Sequence, residues 1–151
     1  MKKKYVYKNL ADTLIQLKNQ AIESIPYCYE LTSEIDTPQQ LFEYLKSITQ
    51  FHRDPPGIEL LQTAKTLFDN NYHGIPGAGD CDCFTVLALA SLYSIGKTNL
   101  FTIVSGQSDK SPSHIYAGFL ENGTFYDFDL TTDYFNVSRP YKYRKILKTK
   151  L

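Results

Sequence analysis

The sequence predicts one α+β domain, a helical N-terminal part followed by an antiparallel sheet of about four strands. Three observations predict it. Apolar residues recur at helical spacing over most of the first seventy positions. A glycine-rich loop then leads into a helix that is apolar on nearly every side, the mark of a helix buried within the protein. Beyond Gly96 the pattern changes to period two, with an Asn122-Gly123 hairpin signal at its centre. Helices first and strands second is the order of an α+β fold. The chain, 1–151, reads as a single domain, with 1–72 mainly helical and 73–151 carrying the buried helix and the sheet.

The elements follow in order. Asn9 is placed to cap a helix from about Leu10 to Glu23, with Leu10, Leu14, Leu17 and Ala21 on one stripe; Ile25-Pro26 should stop it. Thr37-Pro38 is a second start, a cap followed by proline at the first helical position, and that helix presents Leu41, Tyr44, Leu45 and Ile48. Asp54-Pro55-Pro56-Gly57 breaks the chain, and a third helix is expected over about 58–68. Asn70 to Gly79 is a loop. The buried helix then runs from Asp82 to Tyr93. Strands are expected at Leu100–Ser105, His114–Leu120, Thr124–Leu130 and Tyr141–Leu147.

Composition narrows the function. Sixteen basic residues balance sixteen acidic ones, so the chain carries no electrostatic footprint for nucleic acid. The basic start Lys2-Lys3-Lys4 is followed by no continuous apolar stretch, and no segment nears the ~20 apolar residues that cross a bilayer. The expectation is a cytoplasmic protein with neither membrane nor nucleic-acid partner. Three cysteines, Cys28, Cys81 and Cys83, are too few and too irregular for a disulfide framework.

Cys81 stands where the glycine-rich loop meets the buried helix. Free N–H groups and the positive helix end favour a thiolate there, and the same N–H groups suit an oxyanion. Asp80 and Asp82 oppose a thiolate, so a cationic partner is needed, and His114 is the candidate. The hairpin fixes what lies beside His114. A type I′ turn at Asn122-Gly123 pairs Glu121 with Thr124, Gly118 with Asp127 and Tyr116 with Asp129. His114, Tyr116, Asp127 and Asp129 then share one face. His114 and Asp129 become diagonal neighbours, roughly 7–8 Å apart at the backbone, while Asp127 lies beyond ~10 Å. Asp129 is therefore the orienting carboxylate.

Gly79-Asp80-Cys81-Asp82, Ser113-His114-Ile115-Tyr116 and Asp129-Leu130-Thr131 together resemble the three motifs of the transglutaminase-like superfamily, with Cys to His 33 residues apart and His to Asp 15. The likeness covers Gly77 to Thr131 and is greatest to short stand-alone members from bacteria and their phages. It departs at Cys83, where many small members have a second Asp, and at Phe125, where Trp is usual. The resemblance implies a papain-like fold and a catalytic triad of Cys81, His114 and Asp129. It further implies cleavage or transfer at an amide bond of a peptide or protein through a thioester, with no cofactor. Tyr116 and Phe125 are candidates for the substrate cleft, Tyr116 with simple packing as its alternative. Gln62 is a candidate oxyanion donor, with a surface amide in mid-helix as the plainer alternative.

Three other readings compete. Cys83, about 200° round the helix from Cys81, reads as core. His52 reads as exposed and His73 as a solvated loop residue. A zinc shell of Cys81 or Cys83 with His73 or His114 and Asp129 lacks the Cys-x-x-Cys spacing of structural zinc sites. The remaining alternative is an inactive binding or structural protein that keeps the fold.

Overall fold

A computed structural model describes residues 10–110 and 112–151, so Asn9 and the basic start lie outside the described residues. The architecture is α+β. Four helices, α1 (Leu10–Leu31), α2 (Pro38–Ile48), α3 (Ala64–Phe68) and α4 (Cys81–Ser94), accompany a four-stranded antiparallel sheet. Its strands are β3 (Leu100–Gly106), β4 (Pro112–Glu121), β5 (Thr124–Phe128) and β6 (Tyr143–Lys148), in the order β5-β4-β3-β6. A two-residue parallel ladder joins β1 (Gln50–Phe51) to β2 (Ala78–Gly79).

The buried helix organises the molecule. α4 packs between α1 and β4, and from Asp82 to Leu92 every residue is buried. Val86, Leu87, Ala88 and Leu89 meet Leu17, Ala21 and Cys28 on one side and Val104, Ile115, Ala117 and Phe119 on the other, all in one apolar cluster. Sheet positions of the opposite parity, His114, Tyr116 and Gly118, stand on the other face of β4. α2 begins as the sequence predicts. Thr37 caps it, Gln40 closes the capping box, and Pro38 occupies the first turn.

Two helix expectations fail for physical reasons. Pro26 does not stop α1, which continues to Leu31. Proline removes one N–H donor, here the one to Ile22 O, and crowds that carbonyl, but the burial of Cys28 beyond it holds the last turns in place. The third helix is one short element capped by Thr63 rather than a run from residue 58. Residues 58–63 are held out of a helix by side chains: Asp54 Oδ2 accepts from Leu60 N at 2.8 Å, and the Gln62 amide bonds Ala78 O and Tyr72 N. The final strand starts at Tyr143 instead of Tyr141.

The hairpin register agrees with the sequence argument. Asn122 and Gly123 both take positive φ, 52° and 78°, as a type I′ turn requires. Glu121 pairs with Thr124 and Gly118 with Asp127. Between β3 and β4 the register slips after Ser105–His114, so that Gly106 faces Pro112 and Ser113 is the extra residue. Such a bulge re-aims the neighbouring side chain, and here the neighbour is His114.

Candidate active site

Asp80 caps α4 and Cys81 is its first helical residue. The Asp80 carboxylate accepts from Asp82 N at 3.2 Å, so part of the helix end that the sequence offered to a thiolate or oxyanion is already occupied. The Cys81 N–H has no hydrogen-bond partner among the described residues and stays available as an oxyanion donor. Thr85 ties the first turn to the sheet, its hydroxyl donating to Cys81 O at 2.7 Å and reaching Ile115 O at 3.3 Å.

On β4, His114 is 8% exposed and Asp129 1%. His114 Nε2 and Asp129 Oδ2 are 2.6 Å apart. The other carboxylate oxygen accepts from Thr131 N at 2.9 Å and from the Thr131 hydroxyl at 2.7 Å. Both oxygens of Asp129 are thus fixed, and the ring is held through Nε2. Nδ1 has no partner among the described residues and remains free to exchange a proton. Cys81, Asp82, His114, Ile115 and Ser113 line one cleft of about 270 Å³. Within it the sulfur and the imidazole are not hydrogen-bonded to each other. Cys81 Sγ instead directs its proton toward Asp82 Oδ1, at 3.8 Å.

Electrostatics at the sulfur are adverse. Burial, then the charges of Asp82 and Asp80, push the Cys81 thiol well above its ordinary range, and the Ile115 N–H opposes them only in part. A thiolate therefore has to be made by proton transfer rather than found at rest.

The other predicted residues separate. Gln62 is fully buried and does not reach the cleft. Its amide donates to Ala78 O and toward Cys83 Sγ, and accepts from Tyr72 N, which makes it a scaffold residue and corrects both the oxyanion and the surface readings. Phe125 lies over Gly118 and against Phe101, away from Cys81. Tyr116 is buried and stacks on His114, with ring centroids 5.6 Å apart, and the Arg144 guanidinium carbon lies over the Tyr116 ring, 5.9 Å from its centroid. Its packing alternative is the one the geometry favours. Cys83 is core, its thiol directed at Leu60 O, and so cannot join Cys81 in a zinc shell. His52 is half-buried rather than exposed, with its ring against His73.

Sequence reasoning missed three neighbours. Tyr141 places its ring 6.0 Å from that of His114. Arg139 grips Thr131 through Oγ1 and the carbonyl, each at 3.1 Å, and so backs the residue that holds Asp129. Neither has a local signature, although the Arg139-Pro140 pair could have marked a break before the last strand. The third is an acidic group, Asp54, Glu59 and Asp80, behind the start of α4. Burial and then the Asp82 carboxyl push Glu59 up to about 11, and burial and then Asp82 push Asp80 up to about 9.

No protein-family model matches the chain, and no curated protein matches it in sequence.

Proposed function

We propose that the chain is a thiol-dependent acyl-transfer enzyme acting on an amide bond of a peptide or protein, with Cys81 as nucleophile, His114 as acid and base, and Asp129 as orienting carboxylate. One observation supports it most: the buried 2.6 Å His114–Asp129 pair stands at the cleft that also holds the sulfur at the start of α4. In this reading a fold of the papain-like, transglutaminase-like kind carries the triad. His114 takes the thiol proton through Nδ1 while Asp129 stabilises the imidazolium. The thiolate adds to the carbonyl carbon, and the oxyanion meets the Cys81 N–H. Collapse breaks the C–N bond, the amine leaves with the proton from His114, and a thioester remains. Water or a second amine then takes the acyl group, and the thiol is restored.

The alternative, a binding protein that keeps the site without activity, draws on the raised thiol and the absent Cys81–His114 hydrogen bond. Alkylation by iodoacetamide at neutral pH separates the two. Fast labelling of Cys81 that His114→Ala slows supports the enzyme; slow labelling indifferent to His114 supports the scaffold. Mass spectrometry after incubation with candidate amide substrates then looks for an acyl adduct on Cys81.

A further inference from the structure

We infer that the outer edge of β6 binds an acidic peptide segment of another molecule, in extended form, as a fifth strand of the sheet. β5 and β6 are the two edges, and they are unlike. On β5 the outward amide of Asp127 is already used, donating to Asn136 Oδ1 at 2.8 Å. On β6 the ladder itself shows which groups face out. Thr149 N donates to Leu100 O at 2.9 Å, and bonded pairs alternate along an antiparallel ladder. The bonds to β3 therefore fall on Leu147, Lys145 and Tyr143, opposite Thr102, Val104 and Gly106.

The N–H and C=O groups of Arg144, Ile146 and Lys148 then point away from the sheet. Among the described residues no other group bonds to them. Such a row of donors and acceptors is a template for a further strand. The side chains of the same three residues share the sheet face that carries Tyr116 and His114. Ile146, in the middle, is 49% exposed.

Charge selects the occupant. The chain is neutral overall, yet no acidic residue follows Asp133, whereas Arg139, Lys142, Arg144, Lys145, Lys148 and Lys150 do. Among the described residues no carboxylate forms an ion pair with any of these six. Lysines on an edge strand keep copies of a protein from joining edge to edge, and here they would do so. An antiparallel pair of β6 strands centred on Ile146 sets Arg144 of each copy against Lys148 of the other, and Lys142 against Lys150. A second copy is thus repelled, and an extended segment with acidic side chains is attracted. The best complement places one apolar side chain opposite Ile146 and acidic ones opposite Arg144, Lys145 and Lys148. Charge alone would hold any polyanion; the free backbone row is what calls for a peptide.

The inference does not depend on the chemistry of Cys81, and its test reads binding alone. The full chain is titrated into a fluorescein-labelled heptapeptide with glutamate at its second, fifth and sixth positions and valine at its fourth, and anisotropy is followed. So short a strand should bind with a Kd on the order of 10–100 µM at low salt. Hydrogen exchange read by NMR reports the geometry. At saturation the amides of Arg144, Ile146 and Lys148 should exchange at least about tenfold more slowly, while those of Lys145 and Leu147, already bonded to β3, stay as they were. Ile146→Pro removes an outward donor and no ladder bond, a position where edge strands accept proline, and should weaken binding at least about tenfold. Should that variant fail to fold, the parent chain is tested with the peptide methylated at the second, fourth and sixth backbone nitrogens, which should bind no better. No binding of the unmodified peptide at millimolar concentration overturns the inference. So does equal binding of the methylated peptide, or by a folded Ile146→Pro chain, since either would mark a polyanion site with no strand pairing.

Discussion

Asp129→Asn is the sharpest probe of the proposed site, because the structure dictates how the new amide must sit. Thr131 N–H donates to Oδ1 and can only donate, so the amide oxygen stays at that position and the NH₂ turns toward His114 Nε2. Two donors cannot share one hydrogen bond. The ring must then present Nε2 as an acceptor and carry its proton on Nδ1, the nitrogen meant to receive the thiol proton. The imidazolium also loses a charge-assisted bond worth about 1.5–3 kcal/mol. At ~1.4 kcal/mol per tenfold, that is a loss of roughly 10- to 150-fold in reactive ion pair; the same change of tautomer in a serine-protease triad lowers turnover by ~10⁴. The assay is the second-order rate of Cys81 alkylation by iodoacetamide at pH 7, read by mass spectrometry. Asp127→Asn serves as the control, since Asp127 pairs with Gly118, further along the ladder. A folded Asp129→Asn chain that alkylates within twofold of the parent refutes the assignment of Asp129, whatever Asp127→Asn does.

Four further outcomes follow from packing and burial. Cys28 and Cys83 are fully buried, and burial pushes Cys28 from 9.0 up to about 11, so in native buffer at pH 8 only Cys81 should label, the other two appearing after urea. Because the folded value of Cys28 is the higher one, its contribution is complete below pH 9 and fades as pH rises toward 11, by roughly 3 kcal/mol at most, which a Cys28→Ala comparison of unfolding free energies over that window would measure. Gly77→Ala should lower stability by about 2–5 kcal/mol in a urea titration, since φ is +82° and a methyl would stand 2.1 Å from Ile48 O. Pro26→Ala should raise it by about 1–2 kcal/mol by restoring the N–H donor to Ile22, less than the ~3 kcal/mol of an interior proline because proline also restricts the unfolded chain; a lower melting temperature would show that the ring's contacts matter more.

What the sequence discloses about this fold is local or periodic. The Thr37-Pro38 start of α2, the all-round apolarity of α4 and the Asn122-Gly123 turn are each written in a few adjacent residues, and each forms as read. The pairing of His114 with Asp129 is a long-range contact, yet it was legible because a two-residue turn converts separation along the chain into register across it. The failures are of the opposite kind. Nothing near Leu60 announces that Asp54 and Gln62 will hold residues 58–63 extended, and nothing near Pro26 announces that tertiary packing will carry α1 onward. Glu59 looks like any surface glutamate until the β1–β2 ladder, too short to show a period, draws its neighbours together.

The hairpin also acts as a ruler. A residue added within the strand between His114 and the turn, or between the turn and Asp129, would send imidazole and carboxylate to opposite sides of the sheet, unless a new bulge absorbed it. Two added residues would restore the side but leave the groups about 7 Å out of step. The length of this segment is therefore under tighter restraint than most of its side chains. Variants of this chain should tolerate exchanges at Leu120 or Thr124, both exposed, far more readily than any insertion or deletion between them and the pair they measure out.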